Sequence, residues 1–174
     1  MALVGMKIIK NFLPKKQFKN IQSILMSSGF PYYYQNNYLY HEKHKGGINE
    51  DFFFVHIMKD QIDSEIVADK PTLENILDPI MIKLKANTLV RAKVNLYPNQ
   101  HKHICSNWHV DQHIENVKVA IYCVNTCNGY TDFKTGEKAP SVENSIILFN
   151  ANEFHRSVTQ TDTTRRININ INYE

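Results

Sequence analysis

The hydrophobic pattern of the 174-residue chain changes character near residue 90. Before that point, apolar residues recur mostly at helical spacing. Phe18, Ile21, Ile24 and Leu25 predict a helix entered through the turn Asn11-Phe12-Leu13-Pro14 and ended at Ser27-Ser28-Gly29. Ile76, Leu77, Ile80, Met81 and Leu84 predict a second helix over 74–84, despite Pro79. A short strand over 6–9 and a buried strand over 51–58 (DFFFVHIM) complete this half, with an aromatic, Asn-rich stretch over 32–40. After residue 90 the period becomes two. Strands are expected over 90–97, 117–124, 130–133, 145–149 and 154–159, and the last over 166–173. Turns are expected over 125–129 and at Thr135-Gly136.

Helices followed by a run of short strands predict one α+β domain over 1–174, helix-rich over 1–89, with a sandwich or barrel mainly over 90–174. The final strand is the most informative. Ile167, Ile169 and Ile171 occupy one face, and Arg166, Asn168, Asn170 and Asn172 the other. A strand half-buried in a sheet requires the first face. The second either looks at solvent or lines a polar cavity, where an arginine offers a planar fork of donors suited to a carboxylate. The strand over 90–97 alternates in the same way, with Arg91, Lys93, Asn95 and Tyr97 on one face.

Composition narrows the class without naming it. With 43% hydrophobic and 21% charged residues the chain is of ordinary globular type. A net charge of +3, with Lys and Arg scattered, supplies no stripe for tracking phosphates, so nucleic acid is disfavoured as a partner. Three cysteines (Cys105, Cys123 and Cys127) without a CxxC pair argue against a disulfide framework and a zinc knuckle, and a reducing cytoplasm is expected. No apolar run reaches the length of a membrane span.

The chemistry concentrates around His101, His103, His109 and His113. In extended chain His109 and Asp111 point the same way and present an imidazole and a carboxylate together. With one distant histidine, such a pair makes a facial triad that leaves positions open on a metal. Chance nearly supplies an H-x-D pair in a chain with eight histidines, and His113-Ile114-Glu115 is a rival pair close by. Order carries more weight than the pair itself. After His113 the next histidine is His155, beyond the strand over 145–149, and Arg166 follows eleven residues later at the head of the polar-faced strand.

In this order the segments Asn95-Leu96-Tyr97-Pro98, Trp108 to Asp111, Val119 to Asn125, Asn128-Gly129 with Thr131 and Phe133, Ile147 to Phe149, His155 and Arg166 resemble the Fe(II)/2-oxoglutarate-dependent dioxygenases, prolyl 4-hydroxylase-like branch, of small bacterial and phage type. The resemblance implies a double-stranded β-helix (a jelly-roll, cupin-like core) with N-terminal helices packed on one sheet. It implies iron(II) held by His109, Asp111 and His155, and a 2-oxoglutarate carboxylate paired with a basic residue on the last strand. Both Arg165 and Arg166 qualify. Arg166 is preferred, because the alternation then sends the asparagines to the ligand and the isoleucines to the core. Asn168 and Tyr97 are expected near the cosubstrate. Cys123 stands where some relatives offer a polar cosubstrate contact, a departure from their pattern. The implied reaction consumes 2-oxoglutarate and dioxygen, releases succinate and carbon dioxide, and hydroxylates a peptide or small molecule, peptidyl proline by default. Two other readings stay open: a cupin-type metal enzyme without 2-oxoglutarate, recruiting His103 or His113, and a non-catalytic jelly-roll binding module.

Overall fold

The computed structural model describes residues 5–36, 52–60 and 65–174. Two antiparallel sheets face each other. The large one has the strand order β1-β8-β5-β10-β4-β3-β2. Its members are β1 (Lys7–Ile9), β2 (Tyr33–Asn36), β3 (Phe52–Lys59), β4 (Leu89–Pro98), β5 (Lys118–Cys123), β8 (Ser145–Asn150) and β10 (Arg165–Tyr173). The small one has the order β7-β6-β9, from β6 (Tyr130–Phe133), β7 (Lys138–Pro140) and β9 (His155–Val158). The chain over 104–109 runs along β9 as a further edge, with Ser106 N–H donating to the Ser157 carbonyl at 2.9 Å and Thr159 N–H to the Ile104 carbonyl at 3.0 Å. The chain thus passes back and forth between the sheets, which is the winding of a double-stranded β-helix.

The sequence periods map onto this architecture with instructive differences. The first 89 residues supply the helices and also three strands of the large sheet. Helix α1 (Lys15–Leu25) buries Phe18, Ile21 and Leu25. Its entry is pinned by Asn144, which has φ 55°, a left-handed conformation that asparagine tolerates. The Asn144 side chain accepts from Leu13 N–H at 2.9 Å and donates to the Leu13 carbonyl at 2.9 Å.

The helix predicted over 74–84 is a π-helical turn (Leu73–Leu77) followed by α3 (Asp78–Leu84), and a short α2 (Lys70–Thr72), not predicted, leads into it. Pro79 sits in the first turn of α3, where its missing N–H costs least. The wider turn just before it accommodates the ring. β7 was not legible as a strand because three residues, KAP, carry no period. The aromatic stretch over 32–40 is described only through residue 36, where it forms β2, and the rest lies outside the described residues.

Two cores result. The helices pack on the outer face of the large sheet against Ile167, Ile169 and Ile171, all fully buried. Burial of each isoleucine contributes roughly 2 kcal/mol. The inner core lies between the sheets and contains Val119, Ile121, Cys123, Phe133, Ile147 and Phe149. Cys123 is therefore apolar filling between the sheets. Because the isoleucines of β10 face the helices, its polar residues face the space between the sheets.

Candidate metal centre

His109, Asp111 and His155 converge in that space, their ligand atoms all within 4.8 Å of one another. Local pairing explains the placement. His109 N–H donates to the His155 carbonyl at 3.0 Å, and His155 N–H to the His109 carbonyl at 2.9 Å. This two-way bridge sets the imidazoles side by side, with ring centroids 4.5 Å apart. Asp111 lies two residues further, its N–H donating to the Ala151 carbonyl at 3.0 Å, so the i, i+2 rule brings its carboxylate to the same side.

Hydrogen bonds prepare the donors. His109 Nδ1 lies 3.0 Å from the Asn107 carbonyl, and His155 Nδ1 3.0 Å from the Glu153 carbonyl. A carbonyl only accepts, so Nδ1 carries the proton on both rings and Nε2 offers its lone pair. Burial lowers the His109 pKa, and the neighbouring His155 lowers it further, which favours the neutral ring that a metal requires. Asp111 Oδ2 accepts from Asn170 Nδ2 and from Asn172 Nδ2, each at 3.0 Å. Its Oδ1 faces His109 Nε2 at 3.9 Å. Burial would push the Asp111 carboxyl up. His155, Arg91, Lys93 and the Asn170 amide outweigh that and hold it at about 2. Two neutral imidazoles and one carboxylate are the donor set of a facial triad for iron(II), so these residues fit that ion.

Arg166 lies at the far end of the same polar face and is fully buried. Its Nη1 donates to Ser157 Oγ at 2.7 Å, and its Nη2 to Thr131 Oγ1 at 3.3 Å, while Nε has no partner. The Tyr97 ring lies 5.5 Å from the guanidinium carbon and stacks on Phe53. Among the described residues no carboxylate forms an ion pair with Arg166. A buried guanidinium held only by hydroxyls and a carbonyl is a seat for an anion. Gly129 makes room for it, since a Cβ there would lie 2.9 Å from Arg166 Cδ.

The structure separates the candidates that sequence left together. Arg165 points to the other side of the sheet, where its Nη2 donates to the Met26 carbonyl at 3.1 Å. His101, His103, His113 and Glu115 are exposed, and none joins the metal cluster. His103 Nδ1 bonds the Thr159 carbonyl at 2.6 Å. Tyr97 and Asn168 both line the cavity, and Asn168 Oδ1 accepts from Asn95 Nδ2 at 3.0 Å.

Sequence reading did not assign the clamp on Asp111 by Asn170 and Asn172, the cradle of Ser157 and Thr131, or Arg91 and Lys93 on the cavity wall. The period-two positions His155-x-Ser157 and Thr131-x-Phe133 carried a signal for the cradle. Lys93 stands out chemically. Burial lowers its pKa to about 7, with Arg91 adding to the effect and Asp111 opposing it.

The fold is that of the non-heme 2-oxoglutarate oxygenases. The chain superposes on a 2OG-Fe(II) oxygenase family oxidoreductase from Burkholderia pseudomallei with a TM-score of 0.67, at 12% identity over 98% of this chain and 85% of that one. A prolyl-4-hydroxylase from Pseudomonas putida gives 0.58, at 12% identity over 98% of this chain and 92% of that one. An alpha-ketoglutarate-dependent carbocyclase from nogalamycin biosynthesis gives 0.64, at 9% identity over 97% and 79%. No protein-family model and no curated protein sequence matches the chain.

Proposed function

We propose that the chain is a single-domain Fe(II)- and 2-oxoglutarate-dependent oxygenase that hydroxylates a C–H bond of its substrate. The observation that carries this reading is that His109, Asp111 and His155 line one cavity together with Ser157 and Thr131, the two hydroxyls that hold the buried Arg166, which has no carboxylate partner among the described residues. The structural neighbours support it, being a 2OG-Fe(II) oxygenase family oxidoreductase, a prolyl-4-hydroxylase and an alpha-ketoglutarate-dependent carbocyclase.

In this reading His109 Nε2, His155 Nε2 and Asp111 Oδ1 hold the iron. Asn170 and Asn172 keep Asp111 from rotating. Arg166 pairs with the far carboxylate of 2-oxoglutarate, with Tyr97 packed against the guanidinium and Asn168 beside it. Iron and 2-oxoglutarate together supply the oxidising chemistry, spending dioxygen to release succinate and carbon dioxide. The protein contributes orientation and a site closed on most sides. The neighbouring prolyl-4-hydroxylase makes peptidyl proline the first substrate to assay.

Anaerobic addition of iron(II) and 2-oxoglutarate is expected to give a visible charge-transfer band, and oxygen exposure is expected to give succinate. A folded protein that shows neither loses this reading. Metal-dependent turnover of a substrate without succinate points instead to a cupin-type enzyme.

A further inference from the structure

The cavity wall holds two basic side chains that the iron and 2-oxoglutarate sites do not use. β4 and β10 pair in a register that sets Tyr97 against Arg166, Asn95 against Asn168, Lys93 against Asn170 and Arg91 against Asn172. The cosubstrate end and the Arg91/Lys93 end of this wall are therefore about four to six strand residues apart, roughly 13–20 Å. The metal donors lie toward the second end, where Asn170 and Asn172 grip Asp111.

Arg91 and Lys93 both line the cavity, two residues apart on one strand face. Arg91 Nη1 lies 3.9 Å from Asp111 Oδ1, and its side chain is 22% exposed. Lys93 Nζ lies 5.8 Å from the centre of the Phe53 ring. The carboxylate that faces this pair is Asp111, and a bound dication takes up that charge. Of the two carboxylates of 2-oxoglutarate, one belongs to the metal and the other to Arg166. Arg91, then without a carboxylate opposite it, and the Lys93 amine beside it on the same strand face remain as two donors for an arriving anion.

We propose that Arg91 and Lys93 form a subsite for an anionic group of the substrate, a carboxylate or a phosphate, next to the C–H bond that is oxidised. This inference rests on the oxygenase reading. It adds a substrate class: an acid, or a peptide with an acidic or phosphorylated residue near the target carbon. Arg91, partly exposed, is suited to first capture. Lys93, paired across the strands with Asn170 and with its amine near the Phe53 ring, is suited to fixing the group once captured. The pair acts as specificity residues and exchanges no proton in the reaction.

The test uses the whole chain loaded with zinc(II) and 2-oxoglutarate, which binds without turning over. Calorimetric titration compares N-acetyl-aspartate amide with N-acetyl-asparagine amide, which differ in charge and little in shape. N-acetyl-phosphoserine amide and N-acetyl-serine amide form the second arm and separate phosphate from carboxylate. At least one acidic probe is expected to bind about tenfold or more tightly than its neutral counterpart. Equal binding within a pair, or no binding by any probe, overturns the proposal.

The double variant Arg91→Gln/Lys93→Met is expected to lose the preference while its affinity for 2-oxoglutarate, read from the anaerobic iron(II) band, stays within about twofold. A drop in that affinity equal to the loss of preference assigns the pair to the cosubstrate and also overturns the proposal. Should the double variant fold poorly, Arg91→Gln alone, at a partly exposed side chain, is expected to weaken the preference. A wild-type protein with a normal band and no discrimination loses only this inference. One with no band loses the oxygenase reading as well.

Discussion

Replacing Arg166 by methionine is expected to move stability and ligand affinity in opposite directions. The guanidinium is fully buried and is held by Ser157 Oγ, Thr131 Oγ1 and the Val158 carbonyl, with Nε unpartnered and no carboxylate paired to it among the described residues. Exchanging an uncompensated buried charge for an apolar chain of similar length stabilises by about 1–4 kcal/mol. Leaving the two hydroxyls without their donor returns about 1–2 kcal/mol of that gain. At the middle of both ranges the ligand-free variant is thus expected to be about 1 kcal/mol more stable than the wild type, an upward shift of about 2–4 °C in Tm at this chain length.

In the presence of 2-oxoglutarate the order reverses. Loss of the charged partner of a buried carboxylate costs about 2–5 kcal/mol, roughly 30-fold to several-thousandfold in affinity. Thermal melts with and without 2-oxoglutarate, and titration of the anaerobic iron(II) band, measure both effects. A variant that is less stable without ligand yet binds 2-oxoglutarate normally would show that Arg166 is a structural strut, and the reasoning would fail.

Other substitutions probe the parts separately. Gly129→Ala puts a Cβ 2.9 Å from Arg166 Cδ and 3.0 Å from the Val158 carbonyl oxygen, so the arginine stem must shift, and 2-oxoglutarate affinity is expected to fall about tenfold with metal affinity unchanged. Asn170→Ala removes one of two donors from Asp111 Oδ2 and is expected to weaken metal binding about 10–100-fold in an equilibrium dialysis assay. The metal-free protein has a defined alkaline response. Folding holds the Lys93 pKa at about 7 against an ordinary 10.5, so between these values the unfolded chain binds the extra proton and stability rises with pH. Urea melts across that window are expected to show the rise in wild type and a flat profile in Lys93→Met. On the acid side stability again rises with pH, because this pKa too is lower in the folded chain. The Asp111 carboxyl lies at about 2 against an ordinary 3.8, so its contribution is present above the ordinary value and is lost as pH falls toward 2, a loss that Asp111→Asn should not show in acid melts.

Period and order made much of this protein readable in its sequence. The switch from helical to twofold spacing marked the start of the sheet-rich half, and the strict alternation of β10 separated a core face from a polar one. That alternation also carried the preference for Arg166, because neighbouring residues on a strand must point to opposite sides. The structure has Arg165 at the Met26 carbonyl and Arg166 between the sheets. The order His109, Asp111, His155, Arg166 raised the metal reading above a pairing that chance nearly supplies.

Other features existed only in three dimensions. The rival histidines His103 and His113 could be set aside only when pairing with β9 chose His109 as the partner of His155. The pairing of β4 with β10 placed Arg91 and Lys93 beside the asparagines that clamp Asp111, across more than seventy residues of chain. Period-two spacing is a local property and reports which face a side chain takes. Which other face it meets depends on strand order and register, and those are set by the packing of the whole barrel.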